Sequence, residues 1–352
     1  MMDSPVLLPA EWEIQSAILI AWPHEQGDFG DQLNSVEETY QLIANTIANK
    51  QPLIILCKNN NHQKHIEDLL QSRENIFFLH ISYNDIWVRD TAPLTIKQNN
   101  EYYFLNFQFN GWGNKYPFQD DNAINSKLFK SGLFTNIKIK SFDFVLEGGS
   151  IESDGKGTLL TTRQCLLNKN RNPKFTQNQI ASILRHELGA NQILWLDQQA
   201  LDGDDTDAHI DTLARFCPGN VVAYTSCDNT DDNHYSGLKN MEEQLRSCTD
   251  TQGKPFDLLP LPLPAPIYDN SGQRLPANYC NFLIINGAVL LPVYNDPKDD
   301  FAYHQISCCF PDHEIIKIPC LPLIHQFGSL HCMTMQFPEK VFNPYTYPPC
   351  IN

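Results

Sequence analysis

This sequence predicts a mixed α/β architecture, on three observations. Short apolar runs such as Ala17-Ile-Leu-Ile-Ala21 and Leu53-Ile-Ile-Leu-Cys57 have the length and composition of buried strands. Amphipathic stretches of helical period lie between them. Strand pairs and single helices recur at a spacing near one fifth of the 352 residues, a faint sign of a cyclic arrangement, although there is no exact repeat. No break in composition divides the chain, so residues 1–352 are read as one domain.

The elements follow in order. Ser16 to Trp22 reads as a strand stopped by Pro23, and Asn34-Ser35 as the cap of a helix over 36–49 with Glu37 and Glu38 in its first turn. Pro52 to Cys57, His62 to Gln71 and Ile76 to Ile81 read as strand, helix and strand. Trp87-Val-Arg-Asp90 reads as the end of a buried strand carrying a carboxylate. Tyr102 to Phe109 alternates like a strand and runs into a glycine-punctuated loop, Asn110 to Tyr116. Lys138 to Leu146 is a strand entering Glu147-Gly-Gly149, and Thr158 to Thr162 another after the turn at Asp154-Gly155. Thr176 to Gln179 is a capping box, opening a helix that Gly189 stops. Ile193–Leu196, Leu213–Phe216 and Val221–Tyr224 are strands, and 236–247 is a helix. The Pro-rich 255–278 reads as an irregular connection. Phe282–Val293, Asp299–Cys309 and Ile315–Ile318 then read as strand, helix and strand. The Gly328-Ser329 turn delivers His331 and Cys332 to a short strand, and 343–352 reads as Pro- and Tyr-rich coil.

Composition narrows the function. Lys+Arg 25 against Asp+Glu 41 gives a formal net charge of −16. Such a surface repels phosphate backbones and anionic membranes and attracts cations. A small cationic substrate fits; nucleic acid and membrane do not. The apolar run ending at Trp22 is too short to cross a bilayer. The 11 cysteines are odd in number and form no C-x-x-C pair, and Met1-Met-Asp-Ser-Pro5 lacks the basic start of a secretion signal. Reduced thiols in the cytoplasm are therefore expected. Self-association is left open.

Four stretches carry the residue types of a reaction site. Asp90 follows Trp87-Val-Arg89. Glu147 precedes two glycines, which permit close backbone approach. His209 and Asp211 stand two apart, and on an extended segment they face one pocket. Cys332 is a thiol at a loop–strand junction. Read singly, each has a plain structural explanation: a surface ion pair, a turn with an exposed acid, a polar loop or a metal-binding H-x-D pair, and a buried apolar cysteine. Read together, they have a chemical meaning. Paired carboxylates grip a planar guanidinium through charge-assisted hydrogen bonds. A Cys332 thiolate, favoured by nearby cations, attacks its carbon, and His209 protonates the departing nitrogen and then activates water. Neither cofactor nor metal is required.

The stretches Pro9-Ala-Glu-Trp12, Ala21-Trp-Pro-His24, Asp85-Ile-Trp-Val-Arg-Asp90, Phe109-Asn-Gly-Trp-Gly-Asn-Lys-Tyr116, Glu147-Gly-Gly149, Asp154 to Thr162, Cys165-Leu-Leu-Asn-Lys-Asn-Arg-Asn-Pro173, Asp205-Thr-Asp-Ala-His-Ile-Asp211 and Leu330-His-Cys332 span nearly the whole chain. In these the sequence closely resembles the agmatine deiminases of the guanidine-modifying (amidinotransferase) superfamily. The resemblance implies a five-bladed α/β propeller (pentein) with pseudo-five-fold symmetry and its site at the central pore. It implies Cys332 as nucleophile and His209 as general acid and base. Asp90 and Asp211 become the acids on the guanidinium, and Glu147 the acid that orients the histidine and touches the substrate. Trp87 and Trp112 become aromatic walls, and Asp205 faces the far amine. The implied reaction is hydrolysis of agmatine to N-carbamoylputrescine and ammonia, a step toward putrescine, without cofactor or metal.

The chain departs from that family in two places. Phe327-Gly-Ser-Leu330 stands where a loop richer in glycine, often with asparagine, is usual, and Asp207-Ala-His209 replaces the commoner Asp-Gly-His. The competing expectations are peptidyl-arginine or free-arginine deimination, a metal-dependent hydrolase built on His209 and Asp211, and a non-catalytic polyamine-binding relative.

Overall fold

One strand order repeats in four of the five sheets of the described residues: two antiparallel strands joined by a turn, a helix, and a third strand parallel to the second. Parallel pairing requires a long crossover, and a helix supplies it. The computed structural model describes residues 6–134 and 137–344. Met1–Pro5 and most of the Pro- and Tyr-rich tail lie outside the described residues.

The strands are β1 (Gln15–Ala21), β2 (Leu53–Cys57), β3 (Ile76–His80), β4 (Leu94–Gln98), β5 (Glu101–Gln108), β6 (Ile137–Val145), β7 (Ile151–Ser153) and β8 (Thr158–Thr162). They continue with β9 (Gln192–Leu196), β10 (Ala214–Cys217), β11 (Val221–Ser226), β12 (Asp257–Pro262), β13 (Leu283–Ile285), β14 (Ala288–Val293), β15 (Glu314–Pro319) and β16 (Thr334–Pro338). Five sheets result: β4-β5-β6, β7-β8-β9, β10-β11-β12, β13-β14-β15, and β16-β1-β2-β3. In the last, β16 runs antiparallel to β1, so one sheet joins the two ends of the described chain. The middle strands β2, β8 and β14 are buried at every residue, as strands covered on both faces must be. Among the described residues no helix is long and apolar enough to cross a membrane.

Several elements differ from the sequence reading, each for a local reason. The first long helix is Leu33–Ala48, begun a turn early from Gln32 without a side-chain cap, so Glu37 lies past its first turn. Glu37 is instead buried, accepting from Trp22 Nε1 at 2.9 Å. Trp87-Val-Arg-Asp90 does not end a strand; Val88–Thr91 is a helical turn. Phe282–Val293 is a hairpin of β13 and β14, with Gly287 in left-handed backbone (φ 70°) at the turn. The irregular 255–278 contains β12. The backbone N–H groups of Asp257 and Leu263 point to the carbonyls of Asn220 and Ser226. Alternation then sets the nitrogens of Pro260 and Pro262 on the outer side of an edge strand, where no donor is needed. The capping box at Thr176 and the left-handed Gly189 (φ 73°) are formed. Strands β4 and β7 had no counterpart in the sequence reading.

The segments entering the first strand of each sheet converge. A buried ion cluster fixes three of them to the lead-in. Arg215 on β10 bonds Glu11 at 2.6 Å and ion-pairs with Glu152 on β7, and Arg89 bonds the other Glu11 oxygen at 3.0 Å. Burial raises Glu11, but Arg89, His331 and Arg215 outweigh it and hold the carboxyl well below its usual range. Removing one member of such a cluster leaves its partners' charges uncompensated. Arg215→Met is expected to destabilise the protein by about 3–5 kcal/mol, read by urea unfolding. An unchanged midpoint would contradict this account of the cluster.

Candidate active site

Each sheet contributes to one centre from the segment just before its first strand. Asp90 precedes β4, Glu147 precedes β7, His209 and Asp211 precede β10, Asn281 precedes β13 and Cys332 precedes β16. All are buried.

His209 caps the single 3-10 turn Ile210–Thr212 with φ −56° and ψ 140°. The H-x-D pair is thus not on an extended strand, yet both side chains reach the centre. His209 Nδ1 lies 3.5 Å from Asp90 Oδ1, and its Nε2 lies 3.7 Å from Glu147 Oε2. Among the described residues, neither ring nitrogen has a partner at close hydrogen-bond geometry. Burial opposes a charged ring, but Asp90, with Cys165 and Glu147, raises His209 well above its usual value, so the imidazolium is favoured.

The three acids are held differently. Asp90 Oδ1 accepts from Gly149 N at 2.9 Å and Oδ2 from Trp112 Nε1 at 2.9 Å. Burial, against His209 but aided by Asp211 and Glu147, pushes it up to about 6. Glu147 takes Arg171 Nε on both oxygens at 2.8 Å. Burial raises it, but Arg171 and His209 outweigh that and hold it down to about 2. Asp211 Oδ2 pairs with His331 Nδ1 at 2.8 Å, while its Oδ1 is buried without a partner. Despite burial, His331 holds Asp211 below its usual range.

Gly149 measures how closely these groups gather. A Cβ there would stand 2.8 Å from Asp90 Oδ1, 2.8 Å from His209 Nδ1 and 3.0 Å from Asp211 Oδ2. Cys332 Sγ lies 3.7 Å from Asp211 Oδ2. The expected cations beside the thiol are not its nearest neighbours. Burial pushes the Cys332 thiol well up, and Asp211 and Asp90 push it further, so the neutral thiol is favoured.

Cys332, Asp90, Trp87, Trp112 and Asp205 line one pocket, with Asp28, Asp85 and Asp204 also on its wall. Trp87 packs on Gly328, where a Cβ would come within 2.4 Å of the indole. Trp112 sits in left-handed backbone (φ 52°) between Gly111 and Gly113. Asp205 Oδ2 accepts from Tyr116 OH at 2.6 Å, and its carbonyl accepts from Lys115 Nζ. Burial pushes Asp85 up to about 7.

The sequence reading gave no role to Arg171, His331, Glu11 or Asn281. The first three lie inside stretches already singled out, and Asn281 has no local signal. As for a metal, the groupings close enough to hold an ion among the described residues are Glu147–Cys165–His209 and Glu11–Glu152–His331. Neither contains the His209–Asp211 pair, and Arg171 or Arg215 already occupies a carboxylate in each.

A family model described as Porphyromonas-type peptidyl-arginine deiminase matches residues 7–338. The agmatine deiminase of Pseudomonas putida is 32% identical over 359 residues, 95% of this chain and 96% of its own. A C. jejuni agmatine deiminase with substrate bound superposes at a TM-score of 0.88 with 36% identity, covering 94% of this chain and 96% of that one. The Enterococcus faecalis agmatine deiminase gives a TM-score of 0.88 with 26% identity, covering 97% of this chain and 99% of that one. The chain belongs to the Porphyromonas-type peptidyl-arginine deiminase family, and its mixed α/β fold is that of these deiminase structures.

Two residues beside the candidate site, Ala208 (φ 67°) and Phe327 (φ 65°), take left-handed backbone without being glycine. Ala208 is held there by Thr162 Oγ1 on its carbonyl at 2.7 Å and Asp204 Oδ2 on its N–H at 3.2 Å. A non-glycine residue in this region costs about 1–2 kcal/mol. Ala208→Gly is expected to raise stability by about 0.5–1 kcal/mol, after the entropy that glycine adds to the unfolded chain, read by chemical denaturation. A loss of stability would contradict strain at this position.

Proposed function

We propose that the chain is an agmatine deiminase, hydrolysing agmatine to N-carbamoylputrescine and ammonia. We further read residues 1–352 as one catalytic domain whose five sheets are blades of a five-bladed α/β propeller, with the site at its centre. The observation that carries the activity is the gathering of Asp90, His209 and Asp211 around Gly149, beside Cys332. That space is buried and lined by carboxylates, and a planar guanidinium answers both properties.

In this reading the guanidinium lies between Asp90 and the unpartnered Asp211 Oδ1. Its positive charge beside Sγ reverses the field that keeps the thiol neutral, and the thiol passes its proton to solvent at the pocket, from which the cysteine is reprotonated when the C–S bond later breaks. The sulfur attacks the guanidinium carbon and forms a C–S bond. His209, held as imidazolium by Asp90 and Glu147, gives its proton to the departing nitrogen, and the C–N bond breaks with loss of ammonia. The remaining thiouronium is attacked by water, whose proton returns to His209. The C–S bond then breaks, leaving the ureido product and Cys332. Trp87 and Trp112 flank the aliphatic stem. The acids Asp28, Asp85, Asp204 and Asp205 on the pocket wall suit a free amine and repel an α-carboxylate. Cytoplasmic residence is supported by the described cysteines, all of them free.

Three outcomes are expected. Cys332→Ser forms no ureido product by colorimetric assay; undiminished activity would remove Cys332 from its role. Side by side, kcat/KM on agmatine exceeds that on free arginine by at least about a hundredfold, with a peptidyl arginine also slower; equal rates would reassign the substrate. Asp90 has a raised pKa of about 6, so only above that pH is it the carboxylate that pairs with a cation. KM for agmatine should therefore climb as pH falls through about 6, and a KM flat from pH 7 to pH 5 would take Asp90 out of substrate binding.

A further inference from the structure

The loop 201–209 carries Asp204, Asp205 and Thr206 on the pocket wall and ends at His209. Its base is fixed from outside the pocket. Gly203 (φ 84°) lies against the backbone of Arg274, where a Cβ would stand 2.3 Å from the carbonyl oxygen. One residue earlier, the backbone N–H of Asp202 donates to His234 Nε2 at 2.8 Å, with the exposed Asp202 carboxylate further off at 3.6 Å. His234 is buried at the start of the helix Tyr235–Ser247, and its Nδ1 faces Asp232 Oδ1 at 2.8 Å. Arg274 closes the row, with Nη1 on Asp232 Oδ1 and Nη2 on Oδ2, both at 2.9 Å. Burial raises Asp232, but Arg274 and His234 outweigh it and hold the carboxyl below its usual range. A backbone N–H only donates and that carboxylate only accepts, so Nε2 is bare and Nδ1 carries the hydrogen.

We propose that His234 is a positioning residue for the far end of the substrate: its neutral imidazole ties the loop that presents Asp204 and Asp205 to the Asp232–Arg274 ion pair, and so sets the affinity for the substrate's free amine. His234 itself does not line the pocket. The placing of Asp202 is passed along the loop by short bonds. The Asp204 N–H closes on the Leu201 carbonyl at 2.9 Å. Asp204 Oδ1 accepts from Thr206 N at 2.8 Å, its Oδ2 from Ala208 N at 3.2 Å, and Thr206 Oγ1 from His209 N at 3.1 Å. Asp207 and Ala208 stand in left-handed backbone (φ 65° and 67°), and two such residues in succession persist only where surrounding bonds over-determine them. Lys115, Tyr116 and Arg171 hold the loop at Asp205 and Asp207, and His234 holds it at its base. An acidic wall free to turn away loses affinity for the cation it should meet. The reacting groups keep their places: Asp90, Glu147 and Cys332 are carried by other segments, and His209 is anchored past the loop by the turn Ile210–Thr212.

The inference rests on agmatine being the substrate, so ammonia release is followed on agmatine and on butylguanidine, which has the same carbon chain without the amine. His234→Phe keeps a ring and loses both of its bonds. KM for agmatine is expected to rise about tenfold with kcat within about twofold of wild type, while kcat/KM on butylguanidine stays unchanged. His234→Gln, whose Oε1 can accept from Asp202 N and whose NH2 can donate to Asp232, is expected to recover most of the affinity for agmatine. A wild-type KM in His234→Phe, an equal loss on both substrates, or no recovery in His234→Gln would overturn the proposal. Should His234→Phe not fold, Gly203→Ala decides on the same two substrates, because its Cβ drives the loop base off the Arg274 carbonyl. A loss confined to agmatine supports the proposal, and no loss or an equal loss on both overturns it. Faster hydrogen exchange at the amides of 202–206 in a His234→Phe protein, where the wild type releases no ammonia from agmatine, would refute the activity and leave the tie between His234 and the loop standing.

Discussion

Three carboxylates and two imidazoles, those of His209 and His331, buried within a few ångströms of a neighbour are the constraint on which this structure turns. Placing like charges out of water costs several kcal/mol each unless partners compensate them. Each acid here has a different compensation. Glu147 has the Arg171 guanidinium, Asp211 has His331, and Asp90 has two neutral N–H donors and the edge of His209. The consequence is graded charge. Glu147 is a fixed anion, Asp211 keeps one free oxygen, and Asp90 is the least comfortable of the three. A site so arranged is completed by a cation from outside.

Backbone geometry serves this arrangement and is strained by it. Gly149 leaves the central space open, and Gly328 lets Trp87 approach the nucleophile loop closely. Trp112, Asp207, Ala208 and Phe327 all occupy left-handed backbone without being glycine, and all four flank the pocket or its histidine. Such conformations persist where surrounding bonds over-determine them, as the Thr162 and Asp204 contacts do for Ala208.

Local features made much of this visible in the sequence. The buried strands announce themselves as apolar runs, Thr176 and Gly189 delimit their helix, and Cys332, His209, Asp211, Asp90 and Glu147 stand out by residue type. What was not visible depends on partners far along the chain. Asn281 meets Cys332 across 51 residues, and Arg171 reaches Glu147 across 24. No local pattern encodes those meetings; they arise because sheets built alike bring equivalent segments to one place. The same cause explains the misread thiol environment. Nearby cations looked sufficient from composition and motif, whereas the assembled centre surrounds sulfur with carboxylates. Likewise β12 was hidden by prolines that only the edge position of the strand makes tolerable.

Deimination at this site requires a covalent bond to the sulfur of Cys332. Rapid acid quench of the protein with agmatine, followed by intact-protein and peptide mass spectrometry, tests it most directly. The prediction is a thiouronium adduct, the mass of agmatine less ammonia, on the peptide containing Cys332, formed and lost on the time scale of turnover. Ammonia released at full rate with no adduct on that peptide under any quench condition, or an adduct on another cysteine, would contradict it.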